Sequence, residues 1–434
     1  MWFGIAAAIG NTIAAGIVAA QGYIAAQLPN VWLFLGVWIL GGLYALFGAS
    51  SLAELGAAIP RSGGQYNYSR RALGEYAGFI VGWSDWISTC GTNAVVALVI
   101  GNYAGVLFPT IAGKDATIAV VILLGFAVLQ WRGIKWGSAA QLITAALKTG
   151  AFVILVVACF AFGGSSHAAA VAASRPLALP TGWLLATAFM LALQKVIYTV
   201  DGWDGVVYFG EEVKNPGRDV PRAIFGSVFS IIAIYLLLSA AVAYVLPMNE
   251  IVGNGFALGT AATRLFGRYG DPVIRSIMLI SLLSCINACQ LFSTRTLYAM
   301  SGDGLFFRAA SRVNRGGTPT LALALSTAVG ISFCVFQEFI RVIDMLAFFF
   351  VANYTLSFIS TFRLRAKEAG LPRPYRAWGY PWTTGIALAL SVLFLAGALY
   401  TDRVNTPWAF GILLASYPIF RLLKMVSPTP GKTA

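Results

Sequence analysis

Residues 194–222 read QKVIYTVDGWDGVVYFGEEVKNPGRDVPR, and their reading decides the fold. An apolar run over 182–197 leads into Asp201-Gly202-Trp203-Asp204-Gly205. It resumes as Val206-Val207-Tyr208-Phe209 and then meets Glu211-Glu212. Two carboxylates and two glycines thus interrupt what would otherwise be one membrane helix. A carboxylate at bilayer depth is costly and usually faces a cavity or a partner. Irregular backbone at that depth is tolerated only where protein or water satisfies it. The spacing predicts three pieces: an outer half-helix to about residue 197, an unwound segment from Tyr198 to about Gly202, and an inner half-helix ending at Glu211-Glu212. A paired interruption elsewhere would point to a transporter.

The rest of the 434 residues supports a membrane setting. The chain is 59% hydrophobic and 10% charged, with a mean hydropathy of +0.78, a balance foreign to soluble domains. Apolar segments of span length recur about twelve times. They fall at 2–26, 31–59, 76–108, 116–131, 137–162, the opening stretch, 223–246, 273–300, 319–336, 342–362, 382–400 and 407–424. Trp2 already lies in an apolar run with no basic residue before it, so no cleaved signal peptide is expected. Cys90, Cys159, Cys285, Cys289 and Cys334 all fall inside apolar segments, with no metal spacing and no disulfide framework. His167, the only histidine, is expected in a short loop. No metal and no cofactor are expected, and no nucleotide-binding P-loop is present to let ATP drive the protein.

The net charge of +13 is explained by its placement. With the N-terminus inside and spans alternating, the inner loops hold nineteen Lys and Arg residues, and the outer side holds seven. That asymmetry puts both termini in the cytoplasm of a multi-pass protein of the bacterial inner membrane, and it requires no nucleic acid partner. Span 1 carries a second patch, Gly10-Asn11-Thr12-Ile13-Ala14-Ala15-Gly16. The nine residues before Gly10 rise about 14 Å, half a bilayer core. Spans 1 and 6 are then broken, oppositely oriented and five spans apart. This is the signature of a five-plus-five inverted repeat (LeuT-like) with discontinuous helices 1 and 6, inside one all-α integral membrane domain over 1–434. The first repeat covers 1–162 and the second 182–362, and the segment 382–424 is appended.

Five motifs in order resemble those of amino acid–polyamine–organocation (APC) superfamily permeases, closest to bacterial L-type amino acid transporter-like members. They are the span-1 patch with Ile17, then Ala53-Glu54-Leu55-Gly56-Ala57-Ala58-Ile59-Pro60-Arg61-Ser62-Gly63-Gly64, then Asp201-Gly202-Trp203 with Glu211-Glu212-Val213-Lys214-Asn215-Pro216 and Pro221-Arg222. Arg295-Thr296-Leu297-Tyr298-Ala299-Met300 with Gly302-Asp303-Gly304 follows, and last Arg373-Pro374-Tyr375-Arg376 with Tyr380-Pro381-Trp382. The chain departs from the family pattern in three ways. Ala14-Ala15 replace the family's Gly-Ser, so a hydroxyl often near the substrate carboxylate is missing. The family's N-terminal tail is absent from the sequence. Val200 stands where an aromatic often precedes the Asp-Gly.

The resemblance implies that the substrate α-carboxylate meets free amides at Ala14, Ala15 and Gly16, and that its amino group meets carbonyls near Thr12 and Ile13. Free amides at a helix end suit an anion; the plainer reading of this patch is a packing face of small residues. The resemblance also puts unwound carbonyls at Tyr198, Thr199, Val200 and Asp201, with Tyr198 as an aromatic lid. Tyr198 is otherwise a packing aromatic, and Asp201 is a hinge residue, a proton carrier or a cation's partner. Lys148 in span 5 lies about 16 Å up its helix from Gly137, too deep to snorkel easily. It matches a lysine that stands where sodium-coupled relatives hold an ion, so it exchanges a proton or donates to carbonyls freed by the span-1 break. Lys195 answers Asp201 or attracts an acidic substrate. Glu54, Glu211, Glu212, Arg222 and Arg295 form inner-gate ion pairs or are ordinary helix-end charges. Asn287 and Ser284 in span 8 face something polar or bond across helices.

The expected function is secondary transport of amino acids by alternating access, of neutral L-amino acids first, by exchange or proton symport. Cationic amino acids or polyamines are the alternative cargo. An enzyme would need clustered His, Asp or Cys, and a channel a filter or charged ring. The expected partners are the amino acid and the lipid bilayer. The loop over 109–115 has no cysteine, so a disulfide-linked heavy chain is not supported, and a monomer or homodimer is expected.

Overall fold

The computed structural model describes residues 15–175, 177–336 and 339–426, together with Ala8, Gly10 and Thr12. The chain is helical almost throughout. In order, the helices are α1 (Ala15–Gln27), α2 (Val31–Ala58), α3 (Tyr66–Leu73), α4 (Glu75–Leu107), α5 (Asp115–Trp131), α6 (Ile134–Phe162), α7 (Gly164–Ala173), α8 (Trp183–Val200), α9 (Pro216–Val245), α10 (Ala257–Phe266), α11 (Gly270–Gly302), α12 (Thr320–Phe336), α13 (Phe339–Lys367), α14 (Trp382–Thr401) and α15 (Asn405–Val426). Among the described residues there are isolated β-bridges but no strands. Among the described residues, nine helical stretches are long and apolar enough to cross a membrane, and Asp115–Trp131 and Thr320–Val335 are shorter apolar helices.

Apolar side chains cover the outside, and polar and charged ones are buried within the apolar core. Ile154, Leu184, Val273, Leu393 and Leu414 are exposed, while Glu54, Asp85, Lys148, Asn287 and Asn353 are buried. An exposed apolar belt of this extent belongs against lipid rather than water. α11 packs along α4, α9 along α2, α1 on α8 and α12 on α5.

Three expectations are corrected. The opening stretch does break, but α8 runs through Tyr198, Thr199 and Val200. Those residues contain no breaker, and the Thr199 hydroxyl donates to the Lys195 carbonyl at 2.6 Å, still inside the helix. The chain leaves the helix at Asp201, which is extended at φ −61° and ψ 152°. Gly202 follows at φ 100°, a conformation that favours glycine. The inner half is not an α-helix either. It is two 3₁₀ turns, Gly205–Tyr208 and Gly210–Glu212. Neighbouring aromatics fix it there: Trp203 stacks on Tyr354 and Tyr208 on Phe292, at 5.3 and 4.7 Å between ring centres. Finally, His167 lies in helix α7 rather than a loop. Its Nδ1 donates to the Tyr244 carbonyl at 2.9 Å, and its ring stacks on Tyr244.

Candidate functional site

The span-1 patch meets the end of α8. Gly16 approaches α8 so closely that a Cβ there would fall 2.9 Å from the Thr199 hydroxyl. The carbonyls ahead of α1 are held by side chains from other helices. Lys148 Nζ, 1% exposed, donates to the Gly10 carbonyl at 2.8 Å, and the Tyr235 hydroxyl donates to the Thr12 carbonyl at 2.6 Å. Asn11, Ile13 and Ala14 lie outside the described residues. Ala15 opens α1.

Between these stretches lies a small cavity of about 40 Å³, room for a few waters. Thr12, Gly16, Tyr198, Thr199, Asp201 and Asp204 line it. One face of α4 completes the wall with Asp85, Thr89, Thr92 and Val96, a spacing that puts all four on one side of a helix. Three carboxylates line this cavity, and its lining includes no Lys, Arg or His. Each accepts from a neutral donor. Tyr354 donates to Asp201 Oδ1 at 2.7 Å, and Gln65 Nε2 donates to Asp204 Oδ2 at 2.7 Å. Asp85 accepts from the Tyr208 hydroxyl at 2.7 Å and from the Thr296 hydroxyl at 3.1 Å. Gln65 is itself oriented by Ser357, whose hydroxyl donates to its Oε1 at 2.9 Å. Among the described residues no group of three or more His, Cys, Asp or Glu side chains could hold a metal ion.

The ion pair between Lys195 and Asp201 is not formed. Lys195 Nζ lies over the Tyr23 ring, 4.9 Å from its centre. Six residues of helix turn the two side chains about 120° apart. Glu54 and Arg295 do not pair with each other; they belong to separate clusters at the arginine-rich end. Glu54, 2% exposed, is bound by Arg365 and by Arg373 at 3.2 Å, and it accepts from the Ala377 amide at 2.7 Å. Arg295 pairs with Glu212 and lies over Phe209. A third cluster joins Asp303 to Arg70, Arg61 and Tyr66. Asn287 bonds across helices, accepting at its carbonyl from Gln130 Nε2 at 3.0 Å.

Sequence reasoning passed over Asp85, Tyr354, Gln65 and Tyr235. Asp85 carried a signal, a lone carboxylate inside an apolar span. The other three act through distant contacts that no local pattern announces.

A family model described as "Amino acid permease" matches residues 1–419. The serine/threonine exchanger SteT of Bacillus subtilis (strain 168) is 29% identical over 390 residues, covering 87% of this chain and 86% of its own. The human large neutral amino acids transporter small subunit 2 is 26% identical over 426 residues, covering 95% of this chain and 78% of its own. The mouse Asc-type amino acid transporter 1 is 25% identical over 427 residues, with the same two coverages. A helical, multi-pass architecture whose α8 ends at a buried cavity thus has its relatives among transporters rather than enzymes, and the chain belongs to the amino acid permease family of the APC superfamily.

Proposed function

We propose that the chain carries amino acids across the plasma membrane by alternating access around the cavity where α1 and α8 meet. One observation carries this reading. Span-1 carbonyls are tied down by Lys148 and Tyr235, next to a break in α8 that lines the same cavity. The substrate α-carboxylate meets the amides at Ala14, Ala15 and Gly16, and its amino group meets carbonyls near Thr12 and Ile13 and at the end of α8, from Tyr198 to Asp201. Tyr198 closes over it. Lys148 holds the span-1 break in shape.

Twelve crossings in a five-plus-five inverted repeat complete the reading, over 1–162 and 182–362 with 382–424 appended. The nine long apolar stretches, the two shorter helices and α1 sum to that number. Four helix pairs that the repeat makes equivalent also pack on each other: α1 with α8, α2 with α9, α4 with α11 and α5 with α12. Both termini lie in the cytoplasm, since that orientation puts the arginine-rich clusters inside. The five cysteines are buried, so a disulfide-linked partner is not part of the proposal, and the working unit is a monomer or homodimer.

The first cargo is a neutral L-amino acid, as the names of the relatives suggest. The polar face Asp85-Thr89-Thr92 suits a small, polar side chain. A cationic amino acid is the second reading, favoured by three carboxylates with no cation in the cavity lining. A polyamine would leave the span-1 amides without a carboxylate. Uptake of labelled L-serine into proteoliposomes, challenged with unlabelled amino acids, tests the proposal. Competition by neutral amino acids supports the first reading and competition by cationic ones alone the second. If none competes, the proposal fails. Lys148→Met should slow uptake by about tenfold or more, since a charged hydrogen bond is lost.

A further inference from the structure

We propose that Asp85 is the residue that carries a proton through the transport cycle, so that net uptake is driven by a pH gradient. The proposal rests on the reading of the chain as an amino acid carrier and adds a coupling site on α4, outside both interrupted stretches. Its first ground is charge. Asp85, Asp201 and Asp204 share one cavity whose lining holds no cationic side chain. The two buried lysines nearest in the fold reach the Gly10 carbonyl and the Tyr23 ring. Uncompensated carboxylates at bilayer depth are costly. A neutral amino acid arrives with no net charge, so the compensating charge is a proton.

The second ground is what else lines the cavity. The Asn353 side-chain Nδ2 and the Thr12 hydroxyl are buried, face the same cavity, and make no hydrogen bond within the protein. Asn353 Oδ1 accepts from Ser84, the residue before Asp85, at 2.7 Å. Buried polar atoms of this kind call for a ligand or water, so the cavity is built to be filled rather than to stay dry.

The third ground selects Asp85 among the three carboxylates. Its partners are two hydroxyls from two different elements, Tyr208 of the inner segment and Thr296 of α11. A hydroxyl can donate or accept. When a proton binds one Asp85 oxygen, that oxygen becomes a donor and a hydroxyl turns to accept from it. Asp85 then keeps a partner at each carboxyl oxygen in either state. Asp204 is bound at one oxygen by the Gln65 amide nitrogen, which can only donate. Asp201 has one hydroxyl partner, and it comes from α13. Asp85 reaches the inner segment from a separate helix, through Tyr208, whose carbonyl accepts from the Gly63 amide of the arginine-rich loop at 3.2 Å. Loss of the Asp85 charge therefore loosens a contact chain that runs to the inner end.

The titratable groups facing the cavity with Asp85 are Asp204 and Tyr208 of the inner segment, Asp201 and Tyr198 at the end of α8, Cys289 of α11 and Tyr354 of α13. Cys90 lies buried farther along α4. Arg295, next to Thr296, is engaged by Glu212. The proton comes from water on the side where the cavity opens, adds to the carboxylate, and leaves to water on the other side.

The test uses the full chain in proteoliposomes and labelled L-serine. Each variant is scored as the ratio of uptake under a gradient of about one pH unit, acid outside, to counterflow without a gradient. One coupled proton supports accumulation of up to about tenfold at that gradient. The wild type should show a ratio well above one, Asp85→Asn a ratio near one, and Asp85→Glu a restored ratio. Tyr208→Phe keeps the ring and the carboxyl, and it should shift the pH midpoint of net uptake while keeping the gradient response. An Asp85→Asn protein that follows the gradient as the wild type does would overturn the proposal. So would a wild type with counterflow but no gradient response, or a Tyr208→Phe protein with an unmoved midpoint. Absence of counterflow with any amino acid in the wild type would overturn the carrier reading, and the coupling site with it.

Discussion

The carboxylates of this protein fall into two regions that treat charge in opposite ways. At the arginine-rich end, Glu54, Glu212 and Asp303 are each bound by arginine. In the central cavity, Asp85, Asp201 and Asp204 are bound only by hydroxyls and an amide. The first arrangement locks a charge and the helices that carry it. The second leaves the charge to be balanced by something that comes and goes. On the proposed function, the difference separates the residues that hold the helices together from those the transport cycle uses.

Breaking the locked region should cost the most. Glu54 is buried beneath two guanidinium groups and an amide, so Glu54→Ala strands all three. Stability should fall by about 3 kcal/mol or more, seen as a lower thermal midpoint in detergent. An unchanged midpoint would mean that this cluster fastens nothing. In the cavity the balance should reverse. Asp201→Asn can still accept from Tyr354, and a net hydrogen bond is worth about 1 kcal/mol. Its melting should stay near the wild type while uptake falls by about tenfold or more. A large loss of stability with normal uptake would erase the contrast between the regions.

Two smaller effects sharpen the first region. The Arg295–Glu212 pair has its carboxylate about half exposed, at 52%, so Arg295→Gln should change stability by under about 1 kcal/mol. The smallest effect belongs to Arg71 and Glu368, just past the end of α13. Arg71 holds the Glu368 carboxyl below its ordinary range. A lowered carboxylate contributes stability at neutral pH that is lost as pH falls through its folded value. Arg71→Gln should remove that slight acid sensitivity, and added salt should mask the difference. A melting curve recorded from neutral to acid pH, with and without salt, checks it.

Much of this contrast could be read from residue order. The apolar segments, the interruption at Asp201-Gly202 and the placement of Lys and Arg depend on local composition, and they led directly to a helical membrane protein and its family. The depth of Lys148 pointed to a partner inside the protein, and its ammonium sits at the Gly10 carbonyl. The misreadings were of another kind. Tyr198 to Val200 look like part of the break because they adjoin it, but the helix lasts to Val200 and the chain leaves it at Asp201-Gly202. The inner half seemed long enough for a helix, and aromatic stacking on Tyr354 and Phe292 winds it into 3₁₀ turns instead. The partners of Asp85, Glu54 and Lys195 lie 123, 311 and 172 residues away in the chain at Tyr208, Arg365 and Tyr23. Such pairings are set by helix packing, which no single segment encodes.

The account stands on the claim that the cavity between α1 and α8 is the binding site of a carrier. Counterflow tests that claim most directly. Proteoliposomes holding the purified chain are loaded with an unlabelled amino acid, and the entry of labelled amino acid is followed with no gradient applied. The account predicts that internal substrate accelerates labelled uptake, and that Asp201→Asn or Lys148→Met lowers the accelerated rate by about tenfold or more. Labelled uptake that ignores the internal amino acid, across a panel of neutral and cationic ones, would contradict it.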